Sequence, residues 1–89
     1  MNIDYTVSVW REGDQYIAHA MPLDVASSGA NPEMARSAVD EAVRAFIASC
    51  TKAGTLDEVL EEAGYNRDSS GKWRSPSWIS VERREVAVA

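Results

Sequence analysis

Cysteine and histidine are almost absent from this 89-residue sequence, which contains one of each. A lone Cys50 cannot form an intramolecular disulfide, so the sequence does not predict a disulfide-stapled secreted domain. We expect Cys50 to be a small buried thiol. No apolar run approaches the length that spans a bilayer, and the first residues lack the basic and apolar regions of a signal peptide. A cytoplasmic location is therefore expected.

Signatures of catalysis and of metal or cofactor binding are also missing. The sequence has no spacing typical of metal ligands, no phosphate-binding glycine loop and no nucleophile elbow. Asp40 and Glu41 are neighbours on a predicted helix and point about 100° apart, which does not bring two carboxylates to one substrate. His19 is expected on a strand, with its side chain on the face of the predicted sheet away from the helix that carries Cys50. This placement argues against a catalytic pair. We expect no catalytic residue, metal or cofactor, and a protein that is not an enzyme.

Positive charge is scarce relative to negative charge. Nine lysines and arginines against fourteen aspartates and glutamates give a net charge of -5. Such a surface repels phosphate backbones, so we expect no direct binding of nucleic acid. We also expect no membrane partner, because no apolar run is long enough to span a bilayer. A small basic protein is the partner that this charge favours.

The rest of the composition is ordinary for a globular protein, with 45% apolar and 26% charged residues. A chain of this length supports one modest core, in which roughly two-thirds of the unfolded chain's surface is buried. We expect a single domain over residues 1–89.

The clearest pattern is a helix from Asn31 to Gly54. Asn31 suits the N-cap, Pro32 the first helical position, and Gly54 the left-handed residue that follows the last turn. Apolar residues recur at three- and four-residue steps and predict one buried stripe, which consists of Ala35, Ala38, Val39, Ala42, Phe46, Ile47 and Cys50.

Three strands are predicted before this helix. Residues 5–10 alternate between polar and apolar side chains, and residues 15–20 form a second extended run after a turn at Gly13 and Asp14. Residues 25–28 predict a short third strand, which Gly29 ends. The hairpin pairs are Val7–Ala20 and Val9–Ala18 on the face assigned to the helix, and Trp10–Ile17 and Ser8–His19 on the other face.

A second, shorter helix is predicted from Thr55 to Gly64. Thr55 and Glu58 match a capping box, and apolar residues continue one buried face. The other side carries four carboxylates, which form either an ordinary solvated surface or a binding patch for a basic partner. These residues are Asp57, Glu58, Glu61 and Glu62.

The C-terminal quarter combines turn and strand character. Residues 66–77 are rich in serine, aspartate, glycine and proline, which is typical of turns, and we expect this segment to be mobile. Residues 78–88 predict a last strand whose apolar positions change phase, from Ile79 and Val81 to Val86 and Val88. A bulge or bend near residues 82–85 is expected, because one extra residue moves every later side chain to the other face.

Three tryptophans are more than one small core easily covers. Burial is the ordinary interpretation for each, and the alternative is a protein contact, where tryptophan is enriched among binding anchors. We expect Trp73 and Trp78 to act as apolar anchors for a partner. The residues expected at a contact between two copies of the chain are Trp10, Ile17, Val86 and Val88.

Several short motifs follow one another in a recognisable order. They are Tyr5-Thr6-Val7-Ser8-Val9, the glycine turn, Tyr16-Ile17-Ala18, Pro22-Leu23, Ser27-Ser28-Gly29, Pro32-Glu33 and the alanine-rich helix. This order resembles the HicB-like antitoxins of bacterial type II toxin–antitoxin systems. The similarity spans Asn2 to Gly54, and residues 54–65 with Trp73 and Pro76 are similar to a short subgroup of the same family.

The resemblance implies a β-β-β-α-β core. With the short helix, the expected fold is α+β, in the order β-β-β-α-(short α)-β, with the main helix on one face of an antiparallel sheet as in HicB-like and dsRBD-like folds. Members of the family bind a small basic toxin that cleaves mRNA and cover its active site. Many also carry a C-terminal DNA-binding module, for which the last predicted strand leaves no room here. Residues 23–26 also replace the family's usual Gly-Cys pair with Leu-Asp-Val-Ala.

Two functional hypotheses follow. The first is an antitoxin-like binding protein that masks a small basic mRNA-cleaving toxin through the four carboxylates of the second helix and Trp73 or Trp78. The second is an orphan domain of the same fold, structural or regulatory, that self-assembles as a homodimer and has no toxin partner. An enzyme that itself acts on RNA is a third alternative.

Overall fold

A computed structural model describes residues 2–89 and has the α+β fold that the sequence predicts. Three antiparallel strands precede a long helix, and a short helix and a small hairpin follow it. None of the described helices is both long and apolar enough to cross a membrane. The elements are β1 (Thr6–Glu12), β2 (Gln15–Met21), β3 (Val25–Gly29), α1 (Pro32–Ala53), α2 (Leu56–Glu62), β4 (Asn66–Arg67) and β5 (Trp73–Arg74).

The first sheet has the strand order β1-β2-β3, and its register confirms the predicted pairs. The two-residue turn contains Gly13, whose positive φ of 61° is open to glycine at no steric cost. Because the turn length fixes the register, the small side chains of β2 all face one side of the sheet. The observed partners are Val7 and Ala20, Val9 and Ala18, Trp10 and Ile17, and Ser8 and His19.

Helix α1 begins and ends at the predicted residues. The Asn31 side chain accepts a hydrogen bond of 2.8 Å from the Met34 amide, and Pro32 occupies the first turn. Gly54 takes the left-handed conformation with φ 73°, and its amide donates to the carbonyls of the last turn. At each end of the helix, a predicted capping residue therefore bonds backbone groups that the helix itself leaves without a partner.

Small side chains let α1 lie close to the sheet. Ala18, Ala20, Ala35 and Val39 are fully buried in one core. At Gly29 the backbones approach so closely that a Cβ atom would lie 2.6 Å from the Ala35 amide nitrogen. The end of β3 therefore requires glycine for space.

The buried face of α1 differs slightly from the predicted stripe. Cys50 is buried as expected, and Val43 joins the core although it was not in the stripe. Phe46 and Ile47 are only half-buried and pack at the edge of the core.

The predicted strand over residues 78–88, with its bulge or bend near residues 82–85, is wrong. The strands that follow α2 are β4 and β5, which pair with each other in a separate two-stranded sheet. Residues 78–89, here called the C-terminal arm, contain no strand because within residues 2–89 they have no ladder partner. Four apolar side chains of the arm are 85–92% exposed, namely Ile79, Val81, Val86 and Val88.

Candidate protein interface

Helix α2 presents the predicted acidic residues to solvent. Leu56 and Leu60 are buried on one side of this short helix and fix its orientation against the core. The four carboxylate residues on the other side are all exposed, and together they form a surface here called the acidic patch, which consists of Asp57, Glu58, Glu61 and Glu62.

The predicted capping box at the start of α2 is wrong. Thr55 makes no side-chain cap hydrogen bond, and its φ and ψ of -112° and 4° are outside the extended region that an N-cap usually adopts. Its hydroxyl instead points back to the Cys50 carbonyl at 3.4 Å, and its amide donates to the same oxygen at 3.0 Å. The one-residue connection after Gly54 makes Thr55 part of the end of α1, which explains why it does not cap α2.

One carboxylate of the acidic patch is already paired. Arg67 Nη2 donates to Asp57 Oδ2 at 2.8 Å, and the same guanidinium lies 4.4 Å from the centroid of the Trp73 ring. Glu58, Glu61 and Glu62 form no ion pair with any residue of the described range 2–89. Three carboxylates of the patch are thus open to a basic partner.

Trp73 does not lie where an exposed anchor is required. Its side chain is buried in the core at 3% exposure, on strand β5, beneath the Arg67 guanidinium. The ordinary interpretation of this tryptophan as a core residue is the one that the structure matches. Trp78, by contrast, is 50% exposed and remains available for a protein contact.

The segment that was expected to be mobile contains a hydrogen-bonded hairpin built around Asp68. Asp68 Oδ1 accepts from the Ser70 hydroxyl, the Ser70 amide and the Lys72 amide, and Oδ2 accepts from Arg74 Nε at 3.1 Å. The hydrogen bond from the Ser70 hydroxyl, followed by that from the Lys72 amide, holds the pKa of the Asp68 carboxyl well below its usual range. Asp68 therefore organises the turn that brings Trp73 back over the core.

A second group of contacts ties this hairpin to the N-terminal segment. The Tyr65 hydroxyl donates to the Asp4 carbonyl at 2.6 Å, and the amide and hydroxyl of Ser75 donate to the Asp4 carboxylate. The Ser75 hydroxyl is the main cause of a lowered pKa at Asp4. Burial, and then the negative charge of Asp4, raise the pKa of Tyr65 to about 12.

The face of the sheet away from α1 carries the expected Trp10 and Ile17. Trp10 is 41% exposed and donates to the Glu12 carboxylate at 3.2 Å. Its ring meets His19 edge-to-face, with centroids 6.1 Å apart, and His19 Nε2 lies 2.6 Å from Asp24 Oδ1. Trp10 and His19 therefore form a half-exposed aromatic surface on the face where the sequence predicts a contact between two copies of the chain.

The four residues expected at a contact between copies lie in two separate parts of the fold. Trp10 and Ile17 are cross-strand partners in the first sheet, whereas Val86 and Val88 extend into solvent on the C-terminal arm. Where the arm leaves the fold, a groove of about 260 Å³ is lined by Thr6, Ser8, Met21, Trp78 and Val81. Trp78 and Val81, not Val86 or Val88, are the arm residues that line it.

His19 and Cys50, the two residues considered as a catalytic pair, lie in different parts of the fold. Cys50 is buried in the core, and His19 lies on the outer face of β2 beside Asp24. Within residues 2–89, no group of three or more His, Cys, Asp or Glu side chains is arranged to hold a metal ion.

A groove that the sequence pattern did not indicate lies between the N-terminal segment and α1. It has a volume of about 500 Å³ and is lined mainly by Ile3, Tyr5, Val43 and Ile47. The Tyr5 hydroxyl donates to the Asp40 carboxylate at 2.7 Å and holds the segment against the helix. Residues 3, 5, 7 and 9 are all half-buried and alternate with exposed residues. Continuing the alternation of β1 towards the N-terminus would therefore have indicated this packing.

Comparison with known proteins gives no match to a family model, to a curated protein or to a solved structure.

Proposed function

We propose that this chain is an antitoxin-like binding protein of the HicB-like type, which masks a small basic mRNA-cleaving toxin in the cytoplasm. The observation that carries the proposal is the acidic patch, because three of its carboxylates are exposed and have no ion-pair partner within residues 2–89. The order of short motifs that resembles this family supports the same function.

Charge complementarity explains how such a partner would be selected. A chain of net charge -5 attracts a basic protein over distances comparable to the Debye length, roughly 10 Å at 0.1 M salt. Opposite potentials accelerate the encounter and disfavour wrong partners, whereas they add less to the final affinity. The acidic patch would therefore act mainly on the rate of association.

Apolar contact would then hold the complex together. Trp78 is half-exposed near the groove beside β1, and buried tryptophans near the centre of an interface are common binding anchors. Since Trp73 is covered by Arg67, Trp78 is the tryptophan that we assign to this role. Masking of the toxin requires only that the bound chain cover the toxin's RNA-binding surface.

The partner to test is the small basic protein encoded beside this chain. We expect the two proteins to co-purify, and addition of this chain in equimolar amount to suppress cleavage of a labelled mRNA by the partner. If no small basic protein encoded next door binds at low salt, the proposal is wrong.

Matched charge variants test the role of the acidic patch. The triple variant Glu58→Gln, Glu61→Gln and Glu62→Gln removes three negative charges from α2, and we expect association to slow by about tenfold or more at low salt. The control variant Asp14→Asn, Glu33→Gln and Glu41→Gln removes the same charge from the hairpin turn and from α1. Equal slowing by both variants would mean that net charge matters and the patch does not.

The second candidate function, an orphan self-assembling domain, is favoured by the outer face of the sheet. Trp10 is 41% exposed there, beside Ile17 and His19. Such a domain would form homodimers without a toxin. Light scattering that gives a monomer at high protein concentration would count against it.

A further inference from the structure

The C-terminal arm ends in an apolar segment that the single chain leaves uncovered. Trp78 and Val81, at the start of the arm, line the groove beside β1, and residues 82–85 that follow are all charged. Beyond them, Val86 and Val88 are 85% and 91% exposed. No backbone hydrogen bond joins the arm to the rest of the described range. Residues 86–89 read Val-Ala-Val-Ala, and a run that is apolar on both faces is typical of a strand covered on both sides.

The edge of the first sheet at β1 also lacks a partner. Among the described residues, no strand pairs with β1 on the side away from β2, and α1 packs mainly over β2 and β3. Val7 and Val9 face the helix side of the sheet, yet they are only half-buried. Their partners on β2, Ala18 and Ala20, are fully buried. The core is therefore incompletely covered along the β1 edge.

An apolar groove lies beside this edge. It is the groove of about 500 Å³ between the N-terminal segment and α1, here called the helix groove, and its lining includes Ile3, Tyr5, Val43 and Ile47. Because Ile3 and Tyr5 continue the alternation of β1, the groove opens on the helix side of the same edge. A strand added along the edge would direct every second side chain towards it.

We propose that two copies of this chain exchange their C-terminal arms, so that residues 86–89 of each copy add a strand to the β1 edge of the other. Edge strands accept another strand through their unpaired N–H and C=O groups. Val86 and Val88 lie on one face of the added strand and enter the helix groove of the second copy. Ala87 and Ala89 lie on its outer face.

A second copy of this chain is the partner that covers both incomplete surfaces at once. A single strand on one edge is a small contact, whereas specific interfaces bury about 1,200–2,000 Å² in total. In a two-fold exchange each copy gives one arm and receives another, which doubles the buried surface. An unrelated strand bound at the β1 edge would leave the arm exposed.

The charged segment is long enough to bridge two copies. The five steps from Val81 to Val86 span up to about 17 Å in an extended chain. The radius of gyration of the chain is 15.3 Å, against about 12 Å for a compact domain of this length, because the arm projects from the fold. Since the two apolar segments of the arm contact different molecules, they need not share one phase of alternation.

The first test is the mass of the chain alone in solution, measured by sedimentation over a range of concentrations. We expect a dimer of about twice the 9.7 kDa chain. Val86→Lys should weaken the dimer by about tenfold or more, because it brings a cation into an apolar groove that Arg44 also lines. The control Met34→Lys makes a similar change at an exposed residue of α1 and should leave the dimer unchanged.

The receiving surface is tested by a change in the helix groove. Ala48 is exposed in the single chain and lines this groove, so Ala48→Lys should weaken the dimer as Val86→Lys does. The control Ala45→Lys adds the same side chain to an exposed position of α1 outside the groove and should have no effect. Lysine is a good helix former, so all four variants should keep the circular dichroism of the parent chain.

Mixing the two dimer-weakening variants distinguishes exchange from other modes of pairing. In either variant alone, both arm–edge contacts of the dimer are altered. A mixed dimer combines the intact arm of Ala48→Lys with the intact groove of Val86→Lys and so keeps one contact. We expect the mixture to associate about tenfold more tightly than either variant alone.

Several results would overturn the proposal. A monomer at every concentration would do so, and hydrogen-exchange protection of the arm in that monomer would show that the arm pairs with its own edge. A dimer that neither variant weakens would be held by another surface, such as the outer face at Trp10. Failure of the mixture to recover association would mean that the arm and the groove do not meet. All of these measurements use the chain without a toxin, so their outcome is independent of the proposed antitoxin function.

Discussion

Replacement of Gly29 by alanine is the most direct test of how α1 is seated on the sheet. The added Cβ atom would lie 2.6 Å from the Ala35 amide nitrogen and 2.8 Å from two atoms of Met34. Two of these three neighbours are backbone atoms of the first helical turn, which cannot rotate away as the end of a long side chain can. The start of α1 must therefore move away from β3.

The expected magnitude comes from two opposing effects. Overpacking of a well-packed site costs about 1–3 kcal/mol, whereas alanine gains about 0.4–1 kcal/mol over glycine by restricting the unfolded chain. We expect Gly29→Ala to lower the free energy of unfolding by about 1–2 kcal/mol, and the melting temperature by about 4–8 °C for each kcal/mol.

Urea unfolding followed by tryptophan fluorescence measures this loss, because Trp73 is buried in the folded chain. The control is Ser28→Ala on the exposed neighbouring residue, which should change the free energy by no more than about 0.5 kcal/mol. A Gly29→Ala variant as stable as the parent chain would refute the close approach of α1 and β3.

Three further predictions concern helix ends, the core and pH. Asn31→Ala should cost about 1 kcal/mol in urea unfolding because it removes the cap of α1, whereas Thr55→Ala should cost less than about 0.5 kcal/mol because Thr55 caps nothing. Leu60→Ala should cost about 2–5 kcal/mol in the same assay, against less than about 0.5 kcal/mol for the exposed Glu61→Ala. The pKa of Tyr65 is raised in the folded chain to about 12, whereas the ordinary tyrosine pKa is about 10. The free energy of unfolding should therefore fall as the pH rises from about 10 to about 12. Tyr65→Phe should flatten this dependence.

The parts of the fold that the sequence predicts are those fixed by neighbouring residues. The register of β1 and β2 follows from a two-residue turn, since each later pair is set by the turn length. The ends of α1 follow from Asn31, Pro32 and Gly54, each of which has a local physical reason for its position.

The parts that could not be predicted depend on residues distant in the sequence. Thr55 carries a capping-box signature, but the short connection to α1 turns its hydroxyl toward Cys50. Trp73 lies among turn residues, and its burial depends on Asp68 closing the hairpin and on Arg67 covering the ring. The alternation of residues 78–88 predicts a strand, and this prediction is wrong because a strand needs an edge to pair with and residues 78–89 have none within the described residues 2–89.

The two proposed surfaces depend on different forces, and salt separates them. Binding of a basic partner to Glu58, Glu61 and Glu62 should slow as salt is added, because exposed charges separated by more than the Debye length are screened. Self-association through the outer face of the first sheet would depend on Trp10 and Ile17, and salt does not screen apolar contacts. Self-association that persists in salt while binding of the basic partner is lost would therefore separate the two candidate functions.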